Sequence, residues 1–455
     1  MVNKIKSLGR SLGIDGAIIF TILSRVVQAG GGMITLIFVA NFLTKIEQGY
    51  YYTFGSILAI QIFFELGLSN IITQFVAHEV ANLKWIDDTS FECDLKSSSR
   101  LSSLLRFTLK WFVIVAFFLT FGLIVTGYLF FNNYGLGNSN VHWQAAWVIL
   151  AIVTSLNLIA SPVLAFLEGL GMVKKIAKIR MIQQLVQLSI SLMLFYFNFK
   201  LLSTPLATIA GFLIIPCWII FSNRRKLLVF IWEQKNIFTV DYYKEIFPFQ
   251  WKIALSWISG YFIFQLFNPV LFATEGPVVA GQMGMTIAVL NAVLMFTLSW
   301  ITTKVPSFST LIAQRNFSAL DELFNNALVQ SSVLNVLALL IIFTTIFLFR
   351  YFNITLNGKN FGDRFLPYIP LLFMMVPIIC NHIISGWATY LRCHKREPML
   401  FQSIVIGVLC CLSTILLGRK YGVLGMTSGY MVIIVISLFW TYMIFENCKR
   451  KWHNE

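Results

Sequence analysis

Four ionisable side chains stand inside, or at the edge of, long apolar runs of this 455-residue chain: Arg25, Glu65, Lys252 and Lys304. Charge is costly in such surroundings, so residues of this kind face protein or water and mark candidate sites. Arg25 falls nine residues into the run 16–40, and Glu65 ten residues from the end of the run 52–75. If consecutive runs are antiparallel helices, both lie about 14 Å from the same side at 1.5 Å per residue. They could neutralise each other as a structural ion pair. Alternatively, Arg25 presents positive charge to an anionic ligand while Glu65 tunes it or takes a proton. Lys252 opens the run 251–273 and Lys304 closes the run 284–303. Either lysine could simply snorkel to water. With Arg25, however, they would form a cationic vestibule that attracts a diphosphate or other anionic headgroup and repels organic cations.

Other chemistry is hard to assemble from the sequence. There is no G-x-x-x-x-G-K-[ST] motif; Gly358-Lys359-Asn360 is the nearest fragment. No H-E-x-x-H or G-x-S-x-G occurs, and the five histidines are remote from one another. The seven cysteines form no C-x-x-C pair, so neither a zinc site nor a disulfide framework is expected. We expect no cofactor, no metal and no enzymatic activity. Softer polar groups do occur within apolar runs: Gln183, Gln184 and Gln187, Gln265 and Asn268, Asn291, and Asn381 with His382. Interhelical hydrogen bonding accounts for most of them.

The elements that must position these residues are twelve apolar runs, at 16–40, 52–75, 108–131, 145–168, 181–199, 203–221, 251–273, 284–303, 330–349, 367–390, 399–417 and 422–445. Each approaches the length needed to cross a hydrocarbon core of about 30 Å. With both termini in the cytoplasm, 26 Lys/Arg fall in cytoplasmic segments or at their membrane edge, seven fall outside, and Arg25 is within a span. This bias is the positive-inside signature. A hydrophobic content of 58% with only 12% charged residues agrees with it. The formal charge of +15 therefore serves orientation and anionic lipid, not nucleic acid. Met1 to Arg10 resembles the basic start of a signal peptide, but the run that follows is long and contains Arg25, so an uncleaved first span is expected.

The expected fold is an all-α polytopic membrane protein with about twelve transmembrane helices in two six-helix bundles. Residues 1–221 form the first bundle, 222–250 a cytoplasmic linker and 251–455 the second bundle. The polar stretches after the second and eighth runs are alike, and six spans separate corresponding points. Six is an even number, so the repeat is parallel, as in transporters whose halves rock. The loops 76–107 and 222–250 are expected to hold short interfacial helices.

Local stretches extend the comparison. Gly49-Tyr50-Tyr51-Tyr52-Thr53-Phe54 enters the second run, and Phe64-Glu65-Leu66-Gly67-Leu68 lies within it. Glu168-Gly169-Leu170-Gly171 leads to a basic turn with Lys174, Lys175, Lys178 and Arg180. In this order and topology the chain resembles Wzx-type polysaccharide (O-antigen) flippases of the multidrug/oligosaccharidyl-lipid/polysaccharide (MOP) exporter superfamily. The resemblance spans nearly the whole chain. It implies movement of an undecaprenyl-diphosphate-linked oligosaccharide across a bacterial inner membrane by alternating access. It also implies partnership with a polysaccharide polymerase and chain-length regulator. Within the superfamily, a MATE-like drug/cation antiporter would carry acidic residues in its cavity. A lipid II flippase commonly carries two further C-terminal spans. Outside transport, a membrane scaffold for polysaccharide assembly is the alternative.

Overall fold

The computed structural model describes residues 30–454, apart from 81–83, 88, 93, 136–140, 235–236, 357 and 395. Arg25 and most of the first apolar run lie outside the described residues. The described helices, in chain order, begin with α1 (Gly30–Phe42), α2 (Lys45–Leu58), α3 (Ile62–Glu65) and α4 (Leu68–Val80). A long α5 (Leu95–Tyr134) is followed by α6 (Gln144–Leu167), α7 (Val173–Tyr196), α8 (Ser203–Phe221) and α9 (Arg224–Glu233). The remainder comprises α10 (Phe247–Phe264), α11 (Phe267–Thr274), α12 (Pro277–Thr302), α13 (Val305–Ala313), α14 (Phe317–Tyr351), α15 (Tyr368–Cys393) and α16 (Leu400–Asn454).

Among the described residues, nine helical stretches are long and apolar enough to cross a membrane. They account for eleven of the expected runs, because Gln144–Tyr196 and Leu400–His453 each hold two. In both cases two helices meet at a kink on a glycine with positive φ and non-helical backbone, Gly171 (φ 88°) or Gly422 (φ 59°), where a Cβ would be strained. Large apolar side chains such as Phe117, Phe118, Phe121, Phe221 and Ile341 remain exposed, as a lipid-facing surface requires. The protein is an all-α multi-pass membrane protein.

Several boundaries differ from expectation. The basic stretch around Lys174 to Arg180 is not a turn but the opening of α7, because the turn closes earlier, at Glu168–Met172. The second and seventh runs are each interrupted. The second breaks where Leu66 (φ 48°) and Gly67 (φ 68°) take left-handed backbone, and the seventh breaks between Phe264 and Phe267. The loop after α4 carries a small antiparallel hairpin, with Lys84 opposite Glu92 and Trp85 opposite Phe91. Gly358 lies in the turn of a second hairpin, Thr355–Asn360, and not between a strand and a helix as a phosphate-binding loop would need.

The described chain divides into two compact units. One holds residues 30–31, 60–131 and 142–257; the other holds 32–59, 132–141 and 258 onward. In the first, Gly127 lets the Trp147 indole pack against α5, where its Nε1 donates to the Leu123 carbonyl at 2.9 Å. Serines on the first turns of α5 hold down residues 238–240. Ser99 Oγ accepts from Phe238 N at 2.7 Å, and Ser103 Oγ accepts from Val240 N at 3.2 Å. Arg100 bridges Glu79 (2.7 Å) and Glu245 (2.5 Å) in the same region.

In the second unit, Thr44 and Glu47 form a capping box that starts α2. Gly49 and Gly281 bring α2 and α12 into backbone contact, since a Cβ on Gly281 would lie 2.8 Å from Gly49 N. Gln48 donates to the Gly281 carbonyl at 2.8 Å and accepts from Arg364 Nη1 at 3.0 Å. Arg364 is 2% exposed and also donates to the Leu43 carbonyl at 2.7 Å.

Candidate functional site

The break in the second run places Glu65. Residues 59–61 tighten into a 3-10 turn, α3 supplies one further turn, and the left-handed Leu66–Gly67 pair ends it directly after the carboxylate. A broken helix presents backbone groups and a side chain together inside the membrane, where an unbroken one presents only side chains. A cleft of about 280 Å³ opens beside it in the first unit. Its wall includes Gln61, Glu65, Asn157, Arg180, Gln183 and Gln184, with Ser161 and three apolar side chains completing it.

Hydrogen bonds and an ion pair hold several of these side chains and their neighbours in place. Gln183 and Gln187, one helical turn apart, share a face of α7. Gln183 Nε2 reaches Asn157 Oδ1 at 3.4 Å, and Gln187 Nε2 donates to Thr208 Oγ1 at 3.2 Å. Arg180 precedes Gln184 by one turn and pairs with Glu168 at 3.1 Å, both groups partly open to solvent. Thr73 Oγ1 donates to the Ala165 carbonyl at 3.0 Å, fixing α4 against α6. Among the described residues, no hydrogen-bond or ion-pair partner reaches the Glu65 carboxylate. The cleft therefore combines amide donors and acceptors with one acid and one guanidinium.

The residues expected from sequence are not gathered in one described place. Glu65 lines the cleft. Lys252 belongs to the same unit but is exposed on α10, with Nζ 5.8 Å from the centre of its neighbour Trp251's ring. Lys304 is in the second unit, half-buried at the N-cap of α13. Arg25, and with it the Arg25–Glu65 pairing, lies outside the described residues. Sequence reasoning passed over Arg180, Asn157 and Gln61 as site residues. A signal existed for two of them: Asn157 is an amide within an apolar run, and Arg180 stands one turn before the glutamines.

The second unit buries a separate polar cluster around His382, which is fully buried. Its Nδ1 lies 3.2 Å from Thr297 Oγ1 and its Nε2 lies 2.9 Å from Ser331 Oγ. Thr297 donates to the Val293 carbonyl at 3.0 Å and accepts from Asn335 Nδ2 at 3.0 Å. Ser331 likewise donates to the Leu328 carbonyl at 3.1 Å, so both hydroxyls that flank the ring are tied to the backbone. Nearby, Asn381 donates to the Tyr430 hydroxyl at 3.2 Å. Among the described residues, no group of three or more His, Cys, Asp or Glu side chains is placed to hold a metal ion.

No family model matches the chain, and no curated protein matches its sequence. Solved structures do match its fold. A multidrug resistance MATE family transporter of the MOP superfamily, in an inward-facing conformation, aligns with a TM-score of 0.61 at 12% identity over 94% of this chain and 96% of that one. The lipid II flippase MurJ, in an inward closed conformation, aligns with a TM-score of 0.57 at 15% identity over 96% of this chain and 89% of the other. The Vibrio cholerae MATE transporter VcmN aligns with a TM-score of 0.55 at 12% identity over 99% of both chains. The protein has the MATE/MOP transporter fold.

Proposed function

We propose that this protein is a flippase that carries an undecaprenyl-diphosphate-linked oligosaccharide, the repeat unit of an O-antigen or other surface polysaccharide, across the bacterial inner membrane. The observation that carries the reading is the cleft beside Glu65: amides of Gln61, Asn157, Gln183 and Gln184, together with Arg180, in a membrane-spanning unit. Sugar hydroxyls both donate and accept hydrogen bonds, and side-chain amides answer in kind. A guanidinium matches phosphate oxygens. The MATE/MOP fold and the resemblance to Wzx-type flippases support the same class. Translocation needs no covalent change in the cargo, so no catalytic residue, metal or cofactor is assigned.

In this reading the halves 1–221 and 251–455, joined by 222–250, rock about a central path with both termini cytoplasmic. Arg25, Lys252 and Lys304 draw the diphosphate inward, and Glu65 tunes or couples the step. The lipid tail stays in the bilayer. A membrane potential negative inside favours outward movement of the anion by about 2.3 kcal/mol per charge per 100 mV. A polysaccharide polymerase and chain-length regulator are the expected partner proteins. Glu65, an acid without a partner among the described residues, favours a second reading as an antiporter of organic cations. Arg180 in the same wall opposes it. A lipid II flippase is the third reading, for which MurJ is the precedent in fold.

The test is the pool of lipid-linked sugars in the native host with and without the gene. We expect undecaprenyl-linked oligosaccharide to accumulate on the cytoplasmic side of the deletion strain while surface glycan disappears. An unchanged pool with intact glycan would overturn the flippase reading and direct the work to toxic-cation efflux.

A further inference from the structure

A second cleft in the first unit is cationic. It measures about 300 Å³ and is lined by Trp85, Leu170, Gly171, Met172, Lys174, Lys175 and Arg224, with no acidic side chain among the described residues of its wall. We propose that it is a binding site for a phosphate-bearing anion, in which Lys174, Lys175 and Arg224 hold the phosphate oxygens.

Three separate pieces of chain build it. The Glu168–Met172 turn is wide, and Gly171 (φ 88°) lets the backbone bend away so that α7 begins immediately behind it at Val173. That start puts Lys174 and Lys175 in the first helical turn. α9 brings Arg224 as its first residue, anchored by the buried Leu227 and Ile231. Arg224 is only 5% exposed, and its Nη1 lies 3.4 Å from Met172 Sδ, which fixes the guanidinium against the turn. The hairpin supplies Trp85, steadied edge-to-face on Phe91, which itself packs edge-to-face on Phe230 of α9.

The electrostatics are unusual for a merely structural corner. Basic residues at a helix start oppose the macrodipole, and acids are the ordinary choice there. Here α7 and α9 both start at the cleft with no acid in the first turn and no cap from the N-cap side chain, although Ser222 Oγ accepts from Arg224 N at 3.3 Å, so two dipoles add to three cations. The nearest acids of the turn and the hairpin tip are engaged elsewhere. Glu168 pairs with Arg180 at 3.1 Å, and Asp87 Oδ1 accepts from Thr89 N (2.6 Å) and Ser90 N (2.7 Å) within its own turn. Lys175 and Arg224 also have contacts within the chain, so an arriving anion competes for them and does not enter a void. Competition of this kind suits a site that loads and releases. A planar guanidinium with two flexible ammonium groups matches a phosphate better than a carboxylate, since three directions of approach are available.

Two sources share the chemistry: the headgroup of an anionic phospholipid, and a diphosphate-bearing cargo approaching the membrane. The two clefts share α7, which gives Arg180, Gln183 and Gln184 to the one beside Glu65 and Lys174 and Lys175 to this one. Lys175 precedes Gln183 by eight residues on α7, about 12 Å at 1.5 Å per residue. The inference does not depend on the flippase reading, because a phosphate site stands whatever the protein transports.

The experiment uses the full chain in phosphatidylcholine nanodiscs. Inorganic pyrophosphate binding is followed by calorimetry, and phosphatidylglycerol binding by native mass spectrometry. We expect at least one probe to bind, and the Lys174→Gln/Lys175→Gln double variant to weaken it roughly tenfold or more, the scale of one or two charge-assisted hydrogen bonds. Arg224→Lys serves as a second variant if the double variant is poorly folded, and thermal unfolding without ligand verifies both. Pyrophosphate binding alone would identify a cargo-type diphosphate as the source; phosphatidylglycerol alone would identify a resident lipid. Failure of wild type to bind either probe, or wild-type affinity in the folded variants, would overturn the proposal.

Discussion

Glu65 illustrates how a single side chain acquires its setting. Its carboxylate stands at the end of a one-turn helix, in an amide-lined cleft, with no partner among the described residues. We expect Glu65→Gln to change folding stability by less than about 0.5 kcal/mol, the range of substitutions away from packed or paired features. Export of the lipid-linked sugar should fall in the same variant. Thermal unfolding in nanodiscs and surface-glycan staining read the two effects separately. A marked loss of stability would instead show that a cation, with Arg25 the first candidate, depends on this carboxylate. Arg180→Gln should impair export more than Arg180→Lys, because lysine keeps the charge while losing the planar fork. Equal export in both would remove Arg180 from the site.

At the scale of elements, the contact of α2 with α12 and the clasp on α5 make opposite demands. The first depends on absence: a Cβ on Gly49 would meet the Pro277 carbonyl group, with Pro277 Cα only 2.8 Å away. Gly49→Ala should cost about 2 kcal/mol or more through overpacking against backbone that has little room to shift. Gly55→Ala on the same helix, with nothing within 4 Å of its Cβ, should be neutral or slightly stabilising. Unfolding of the pair distinguishes contact from propensity.

The clasp depends on charge. A hydrogen bond from Arg100 holds the Glu245 carboxyl below its usual value of 4.5. A depressed carboxyl stabilises the fold fully above pH 4.5, and that contribution disappears as pH falls through the lower folded value. Wild type should therefore lose stability on the acid side of pH 4.5 more steeply than Arg100→Gln, which keeps only the smaller contributions of the Asp241 N–H and Lys96 to that linkage. Parallel curves for the two proteins would mean that the clasp contributes nothing.

For the whole molecule, the charge bias makes a topological prediction. Alkaline phosphatase fused within the Thr355–Asn360 hairpin should be active, because that hairpin follows an odd-numbered span counted from a cytoplasmic start. The same reporter placed after α9 or at the C-terminus should be inactive. An active C-terminal fusion would invert the orientation.

What was legible in the sequence follows from the range of each force. Burial of backbone in lipid demands helices of a set length, so apolar run length alone located eleven of the expected spans among the described residues. Glu65 was legible for the same reason, as a costly charge in an apolar run. The sequence did not show that its helix breaks at Leu66 and Gly67, or that α7 starts eight residues early and carries Lys174 to Arg180 within it. Single-residue backbone turns leave almost no trace in a hydropathy window. Nor could it group Gln61, Asn157 and Arg180, which are far apart in the chain, or bring Arg224 beside Lys174 and Lys175. Composition determined that this chain lives in a bilayer and which way its charges bias it. Only tertiary packing decided which polar side chains face one another, because residues distant in the chain meet only when their helices pack.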